Sequence, residues 1–265
     1  MKKCRRCASA VLAVALGMQA RATGAEMKSE EEKVAADLAN PLAPVTTMTG
    51  QFRAEFGSGP DDDVNFQLRL QPSFFKPFSD RSAFLLRTIV PVQFKNWPTD
   101  GTGLGDITLV PYYVPDIMKE TFLGYGATIG IPCATEDALG SGKWTAGPAM
   151  IMARTGNPIT YGGLIQHIWS YAGDNESDDV SVTTLQPFFT YLLGGGWAAS
   201  LNVEASYNWN ADADKWTIPL AASMSKVVNI GGKYLNIGVA VVTYADKPDY
   251  APDWELRANV TYVFR

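Results

Sequence analysis

The sequence predicts an all-β protein, an antiparallel up-and-down transmembrane β-barrel of about 12 strands with a short N-terminal helix. Three observations predict this class: apolar and polar residues alternate strictly at the end of the chain, strand-like segments recur at even spacing, and acidic residues gather in every second connection. Charged residues form 18% of the chain, against roughly 25% in typical soluble domains.

The closing segment, 254–264, shows the alternation best. Its apolar members are Trp254, Leu256, Ala258, Val260, Tyr262 and Phe264, and its polar members are Glu255, Arg257, Asn259 and Thr261. Successive side chains of a strand point to opposite faces. One face of this strand would therefore meet lipid and the other a watery lumen, as in the last strand of an outer-membrane barrel.

The first residues predict a secretory signal peptide over residues 1–25. Basic residues at positions 2, 3, 5 and 6 precede an apolar run from 8 to 16, and small residues allow cleavage after Ala22 or Ala25. Cleavage leaves Cys133 as the one cysteine of the mature chain, so we expect no internal disulfide. After the signal, no run approaches the roughly 20 apolar residues of a membrane-spanning helix, which excludes an α-helical membrane protein.

Residues 26–45 predict a periplasmic N-terminal segment with a short helix. Ser29 is a candidate N-cap with Glu32 three residues later, and the helical pattern ends before Asn40 and Pro41. The apolar face of this helix is small. We therefore favour a lead-in outside the barrel over the alternative, a plug in the lumen.

Residues 46–265 predict the outer-membrane barrel itself. The expected strands cover 46–56, 63–72, 82–94, 104–114, 121–132, 143–154, 158–169, 181–192, 197–209, 215–227, 233–245 and 253–264, each long enough to cross the hydrocarbon layer. Acidic residues concentrate in the connections 57–63, 95–103, 132–143, 170–180, 210–214 and 245–253, which we assign to the outside. Both ends of the barrel then lie in the periplasm. The alternative explanation for these acidic residues is that loops are polar in general.

The predicted registers direct several charged side chains into the lumen. On four neighbouring strands they would form a basic wall, with Glu204 elsewhere on the circumference and Glu55 and Glu255 nearer the outer mouth. Opposed charges of this kind can orient and select permeating solutes. The alternative, internal ion pairing that fills the barrel, is given slightly more weight. The candidate lumen and solute-binding residues are Arg53, Arg69, Arg87, Arg257 and Glu204.

His167 is the single histidine of the chain. Ser170 and Asp174 follow it along a strand and into a loop, and such neighbours rarely form a catalytic triad. We therefore expect a structural histidine of the lumen or the aromatic girdle, and no catalytic residue. One histidine and one mature cysteine make a transition-metal site improbable, and we expect neither a metal nor a cofactor. Trp144 and Trp169 fit an interfacial girdle.

Several longer motifs resemble one family. They are LANP at 38–41, GLGDI at 103–107, LGSGKWTAGP at 139–148, YGGLIQHIWSYAGD at 161–174 and LQPF at 185–188. They are similar to those of proteobacterial outer-membrane barrels labelled phenol-degradation (MetA-pathway) outer-membrane or transporter-like proteins. The resemblance implies transport of small molecules, with aromatic or hydrophobic compounds as the class that the label suggests.

The expected function is thus passage of small molecules across the outer membrane of a Gram-negative bacterium. The expected partners are outer-membrane lipid and lipopolysaccharide, the barrel-assembly machinery and a small-molecule solute, without nucleic acid. Acidic external loops would bind divalent cations that bridge lipopolysaccharide phosphates. The alternatives are a closed structural or adhesive barrel, a membrane-embedded hydrolase using His167, and, for the fold, a soluble periplasmic β-sandwich.

Overall fold

A computed structural model describes residues 29–117 and 120–264. The chain forms a closed antiparallel β-barrel of 12 strands with one short N-terminal helix, which confirms the predicted fold class. The last strand pairs with the first and closes the barrel. The predicted signal peptide, with both cleavage positions, lies outside the described residues. Within them, no helix is both long and apolar enough to cross a membrane.

The elements follow one another around the barrel in chain order. The helix is α1 (Glu30–Ala39), and a 3-10 turn covers Asp137–Leu139. β4 and β5 are two parts of one barrel strand, and so are β10 and β11, which Glu204 separates. The strand segments are β1 (Thr46–Ser58), β2 (Asp63–Pro77), β3 (Ala83–Lys95), β4 (Gly101–Leu104), β5 (Ile107–Val114), β6 (Thr121–Ile131), β7 (Lys143–Arg154), β8 (Ile159–Gly173), β9 (Ser181–Gly194), β10 (Trp197–Val203), β11 (Ala205–Asn208), β12 (Trp216–Ile230), β13 (Lys233–Asp246) and β14 (Trp254–Phe264).

The barrel surface is apolar outside and polar or closely packed inside. In β14, Trp254, Leu256 and Phe264 are about half exposed, whereas Glu255 and Arg257 are buried. The alternation predicted for this strand is confirmed. Lipid replaces water around a membrane barrel, so the outer apolar side chains need no protein partner.

The lumen has two chemically different halves. Along β3 and β5–β8 it is filled by apolar side chains such as Tyr112 and Ile151, which are fully buried. Leu42, from the segment that links α1 to β1, completes this cluster and is itself 0% exposed. Along β9, β10, β12–β14, β1 and β2 the inward side chains are mainly hydroxyl, amide and charged groups. Two cavities lie against this polar half.

Helix α1 begins as the sequence predicts but lies in a different place. Ser29 Oγ accepts a hydrogen bond from the Glu32 backbone N–H at 3.2 Å, an N-cap. Val34 on the helix packs with the buried Val227 and Val263 of the barrel wall. Both wall residues face the lumen, so α1 sits inside the barrel.

The lumen end that holds α1 is the end where β1 begins and β14 ends, called here the terminal end. Glu32 Oε1 accepts a hydrogen bond from the Gly195 backbone N–H at 2.7 Å, which ties the helix to the turn between β9 and β10. The preferred interpretation of this helix as a lead-in outside the barrel is wrong, and the plug alternative is the one observed.

Candidate functional site

A cluster of ion pairs crosses the polar half of the lumen, with Glu255 at its centre. This carboxylate has no exposed surface. Arg53 Nη2 donates to both of its oxygens at 2.7 Å, and Arg53 Nε donates to Oε2 at 3.1 Å. Tyr244 Oη also donates to Oε1. Charged hydrogen bonds from several donors compensate for the cost of taking this carboxylate out of water.

Arg257 extends the cluster along the wall. Its Nε donates to Glu255 Oε2 at 2.9 Å, and its Nη1 donates to Glu204 Oε1 at 2.7 Å. The guanidinium thus reaches from β14 to the break between β10 and β11, past β13 and β12. Those two strands carry the buried Ala240 and Ala221, whose small side chains leave room for it.

Two further side chains balance the charge of the cluster. Glu55 Oε1 lies 3.6 Å from Arg53 Nη2. Arg69 donates to Gln67 Oε1 and interacts electrostatically with Glu204 and Glu55. Three arginines (Arg53, Arg69, Arg257) therefore face three glutamates (Glu55, Glu204, Glu255). We refer to these six residues as the lumen cluster.

The structure brings four of the five predicted lumen residues together, in a different arrangement. Arg53, Arg69, Arg257 and Glu204 belong to one cluster, although Glu204 stands three strands around the wall from Arg257 and is reached by that guanidinium. Glu255 lies two residues closer than Arg257 to the end of β14 that is opposite the terminal end, and it is fully buried between arginines. The wall is paired rather than purely basic because barrel closure brings Arg53 and Arg257 within reach of carboxylates.

Arg87 lies apart from the lumen cluster. It pairs across the sheet with Ser73 and lines a cavity next to the segment that follows α1. Tyr244, by contrast, belongs to the site and was not predicted. Alternation along β13 could have placed it on the lumen side, but only the closed barrel shows that it reaches Glu255.

A polar chamber lies between α1 and the lumen cluster. It encloses about 280 Å³, and a cavity of about 240 Å³ adjoins it and shares Leu38 and Thr49 with it. Its walls come from β1, β2, β9, β10 and β12–β14 and carry threonine, serine, asparagine and glutamine. On β1 and β14, Gln51 and Asn259 of the chamber stand two residues before Arg53 and two after Arg257. Chamber and cluster are therefore consecutive along the lumen.

Comparison with solved structures supports the fold. The chain is similar to an outer-membrane channel from Pseudomonas putida F1 at a TM-score of 0.62 and 15% identity, covering 83% of this chain and 96% of that one. It is also similar to the NanC porin, at a TM-score of 0.55 and 10% identity, covering 83% of this chain and 99% of that one. A third similar structure is the KdgM porin in complex with disordered oligogalacturonate, at a TM-score of 0.52 and 11% identity, covering 83% of this chain and 99% of that one. This chain shares their barrel fold.

No protein-family model and no curated protein matches the chain. The phenol-degradation label suggested by the motifs therefore gains no support from these comparisons. What the solved structures share with this chain is an outer-membrane type of barrel, and at these identities the likeness extends to the fold alone.

His167 faces outward from β8 rather than into the lumen. Its Nδ1 hydrogen-bonds Thr183 Oγ1 at 2.8 Å, and its ring lies 5.2 Å from that of Trp169 between centroids. Trp209 Nε1 donates to the same hydroxyl at 2.8 Å. Ser170, the nearest candidate nucleophile, donates instead to Asp179. The group is an aromatic cluster on the outer surface, where Trp144 and Trp169 are also exposed.

The acidic loops at the other end of the barrel remain largely solvent-exposed. Hydrogen bonds from Ser170 and Lys143 to Asp179, which is fully exposed, lower the pKa of that carboxyl below its ordinary value. In the part of the chain that the structure describes, no group of three or more His, Cys, Asp or Glu side chains could hold a metal ion. Divalent-cation binding by these loops thus has no preformed site among the described residues.

Proposed function

We propose that this protein is a channel for small polar solutes in the outer membrane of a Gram-negative bacterium, with the terminal end in the periplasm. One observation carries the proposal: half of the lumen keeps a polar chamber that leads to a charge-balanced cluster. A barrel whose interior is only structural can fill it with apolar side chains, as the half formed by β3 and β5–β8 does. Likeness of fold to channels and porins agrees with it.

The lumen cluster would act as the selective part of this channel. Opposed charges lining a narrow passage orient solutes and set ion selectivity. Because the cluster holds as many glutamates as arginines, we expect weak selectivity between small anions and cations. The polar chamber favours polar solutes, and aromatic or hydrophobic solutes are supported only by the resemblance of motifs.

Planar-bilayer recordings of the refolded barrel test the proposal. The wild type should conduct ions, and Arg69→Ser should shift the reversal potential in a KCl gradient toward cations, because it leaves the cluster with one excess carboxylate. Arg81→Ser is a matched control, since Arg81 is exposed and pairs with Asp116 outside the lumen. A wild-type barrel without conductance, or equal reversal potentials in all three proteins, would contradict the proposed function.

The position of α1 favours a second candidate, a closed barrel with a structural or adhesive role. The helix and Leu42 fill much of the terminal end. Liposomes containing the protein distinguish the two functions, because a closed barrel allows no swelling in iso-osmotic solutions of small solutes. In either case we expect surrounding lipid, lipopolysaccharide and the barrel-assembly machinery as partners.

A further inference from the structure

The polar chamber has the chemistry of a binding site for an uncharged molecule. Among the described residues, none of those lining it carries an ionisable side chain. Its polar groups are hydroxyls and carboxamides, for example Gln51, Gln71, Ser225, Asn236 and Asn259. An ion entering this space would lose hydration without meeting an opposite charge, which is unfavourable. Hydroxyl and amide groups instead complement a neutral solute that both donates and accepts hydrogen bonds.

Two chamber groups need hydrogen-bond donors that the described chain does not supply. The side-chain oxygens of Asn236 and Asn259 are buried and have no hydrogen-bond partner within the described part of the protein. A buried acceptor that stays unsatisfied costs about 1–3 kcal/mol. Both residues line the chamber, on the neighbouring strands β13 and β14. A turn of either carboxamide toward the chamber would let a donor-rich molecule satisfy its oxygen.

The dimensions and the boundaries fit a small molecule. At about 280 Å³, the chamber is just below the roughly 300–1,000 Å³ that is usual for small-molecule sites. Ala35, Leu38 and Ala39 of α1 provide an apolar floor. The lumen cluster stands on the opposite side, so a bound solute would lie between the helix and the charges.

We propose that the chamber binds a small, neutral, polyhydroxylated molecule of the polyol or monosaccharide class. This inference rests on the proposed function, because the bound molecule would be a solute on its way through the channel. The carboxamides of Asn236 and Asn259 accept hydrogen bonds from its hydroxyls, and the lumen cluster excludes neither charge sign strongly. Specificity comes from the number and spacing of hydroxyl groups rather than from charge.

Ribitol is a suitable probe for the full chain folded in detergent. Its binding can be measured by saturation-transfer NMR, and its effect on ion current can be measured in planar bilayers. We expect saturable binding of ribitol, and weaker binding of pentane-1,5-diol, which keeps the carbon chain and lacks the inner hydroxyls. Ribonate, which adds a negative charge, should also bind more weakly than ribitol.

Variants of the chamber locate the site. Asn236→Leu and Asn259→Leu should each weaken ribitol binding about tenfold, because each removes a hydrogen-bonding group and leaves the hydroxyl unpaired. Ser225→Ala, which deletes one hydroxyl and is milder for folding, should weaken it about threefold. Asn208→Leu is the matched control, since Asn208 is an exposed residue at the end of β11 and outside the chamber.

The outcomes separate this inference from the proposed function. A barrel that conducts ions but neither binds ribitol nor changes its current in ribitol overturns the inference and leaves the channel. Binding without conductance supports the chamber and overturns the channel. Equal affinity in wild type, Ser225→Ala and a folded Asn259→Leu protein would also overturn the inference, because ribitol would then bind elsewhere.

Discussion

Neutralising Glu255 is the sharpest perturbation of the lumen cluster. Glu255→Gln keeps the shape and one acceptor oxygen while it removes the charge that Arg53 and Arg257 share. Loss of one partner from a buried ion pair costs about 3–5 kcal/mol. Arg257 keeps its contact with Glu204, and Arg53 keeps Glu55 at 3.6 Å. We therefore expect the free energy of unfolding to fall by about 3 kcal/mol, the lower end of that range.

The same substitution changes the charge of the cluster. It leaves three arginines facing two glutamates, a net charge of one toward passing ions. A unit charge about 4 Å from an ion contributes about 1 kcal/mol in a water-like medium, and 1 kcal/mol corresponds to about a fivefold ratio. The excess positive charge stabilises chloride and destabilises potassium by about that amount each, so the permeability of chloride relative to potassium should rise about thirtyfold in Glu255→Gln.

Both effects can be measured on the same preparation. Urea titration of the barrel in lipid vesicles gives the free energy of unfolding, and the reversal potential in a KCl gradient gives the permeability ratio. Glu120→Gln is the control, because Glu120 is exposed and lies 3.9 Å from Arg154 outside the lumen. The double variant Glu255→Gln with Arg53→Gln should restore the wild-type permeability ratio of chloride to potassium, because it holds two arginines and two glutamates. An unchanged urea midpoint together with an unchanged ratio in Glu255→Gln would refute the described cluster.

Other regions of the molecule allow separate tests. Val34→Asp places a carboxylate in the contact between α1 and the wall, so the helix should leave its site and single-channel conductance should rise; an unchanged conductance would show that α1 does not obstruct the lumen. Leu42→Ala should lower the free energy of unfolding by about 2–5 kcal/mol in urea titration. The pKa of Asp179 is lowered chiefly by Ser170, so this carboxylate contributes stability that is present above its unfolded pKa and is lost as pH falls through the folded value. Ser170→Ala should raise that pKa in an NMR titration, and no change would exclude the hydrogen bond.

The strands could be predicted from the sequence because alternation is a local property. The segment predicted at 143–154 is β7 with the same bounds, and the one predicted at 181–192 is β9 with two further residues. The lumen contacts could not be predicted in this way. Arg257 and Glu204 are 53 residues apart in the chain, and they meet only because the barrel curves and the strands between them carry small side chains.

Helix α1 and His167 show a second limit of sequence reasoning. Ser29 and Glu32 predict where the helix begins, but its binding site consists of residues on strands far along the chain, among them Val227. The pattern around His167 is mixed on both faces, so lumen and girdle positions were both open from the sequence. Packing against Trp169 places the histidine on the outer surface.

The seam between β1 and β14 has a consequence for biogenesis. It sets Arg53 directly opposite Arg257, and Glu55 directly opposite Glu255. Like charges opposite each other destabilise a strand pair, so this seam depends on the diagonal contact of Glu255 with Arg53 and on its contact with Arg257 on the same strand. The first and last strands of the chain supply these groups, and they meet only when the final strand has been inserted. Closure of the barrel and formation of the contact between Arg53 and Glu255 are therefore a single event, and a chain whose last strand is not yet inserted would lack this part of the lumen cluster.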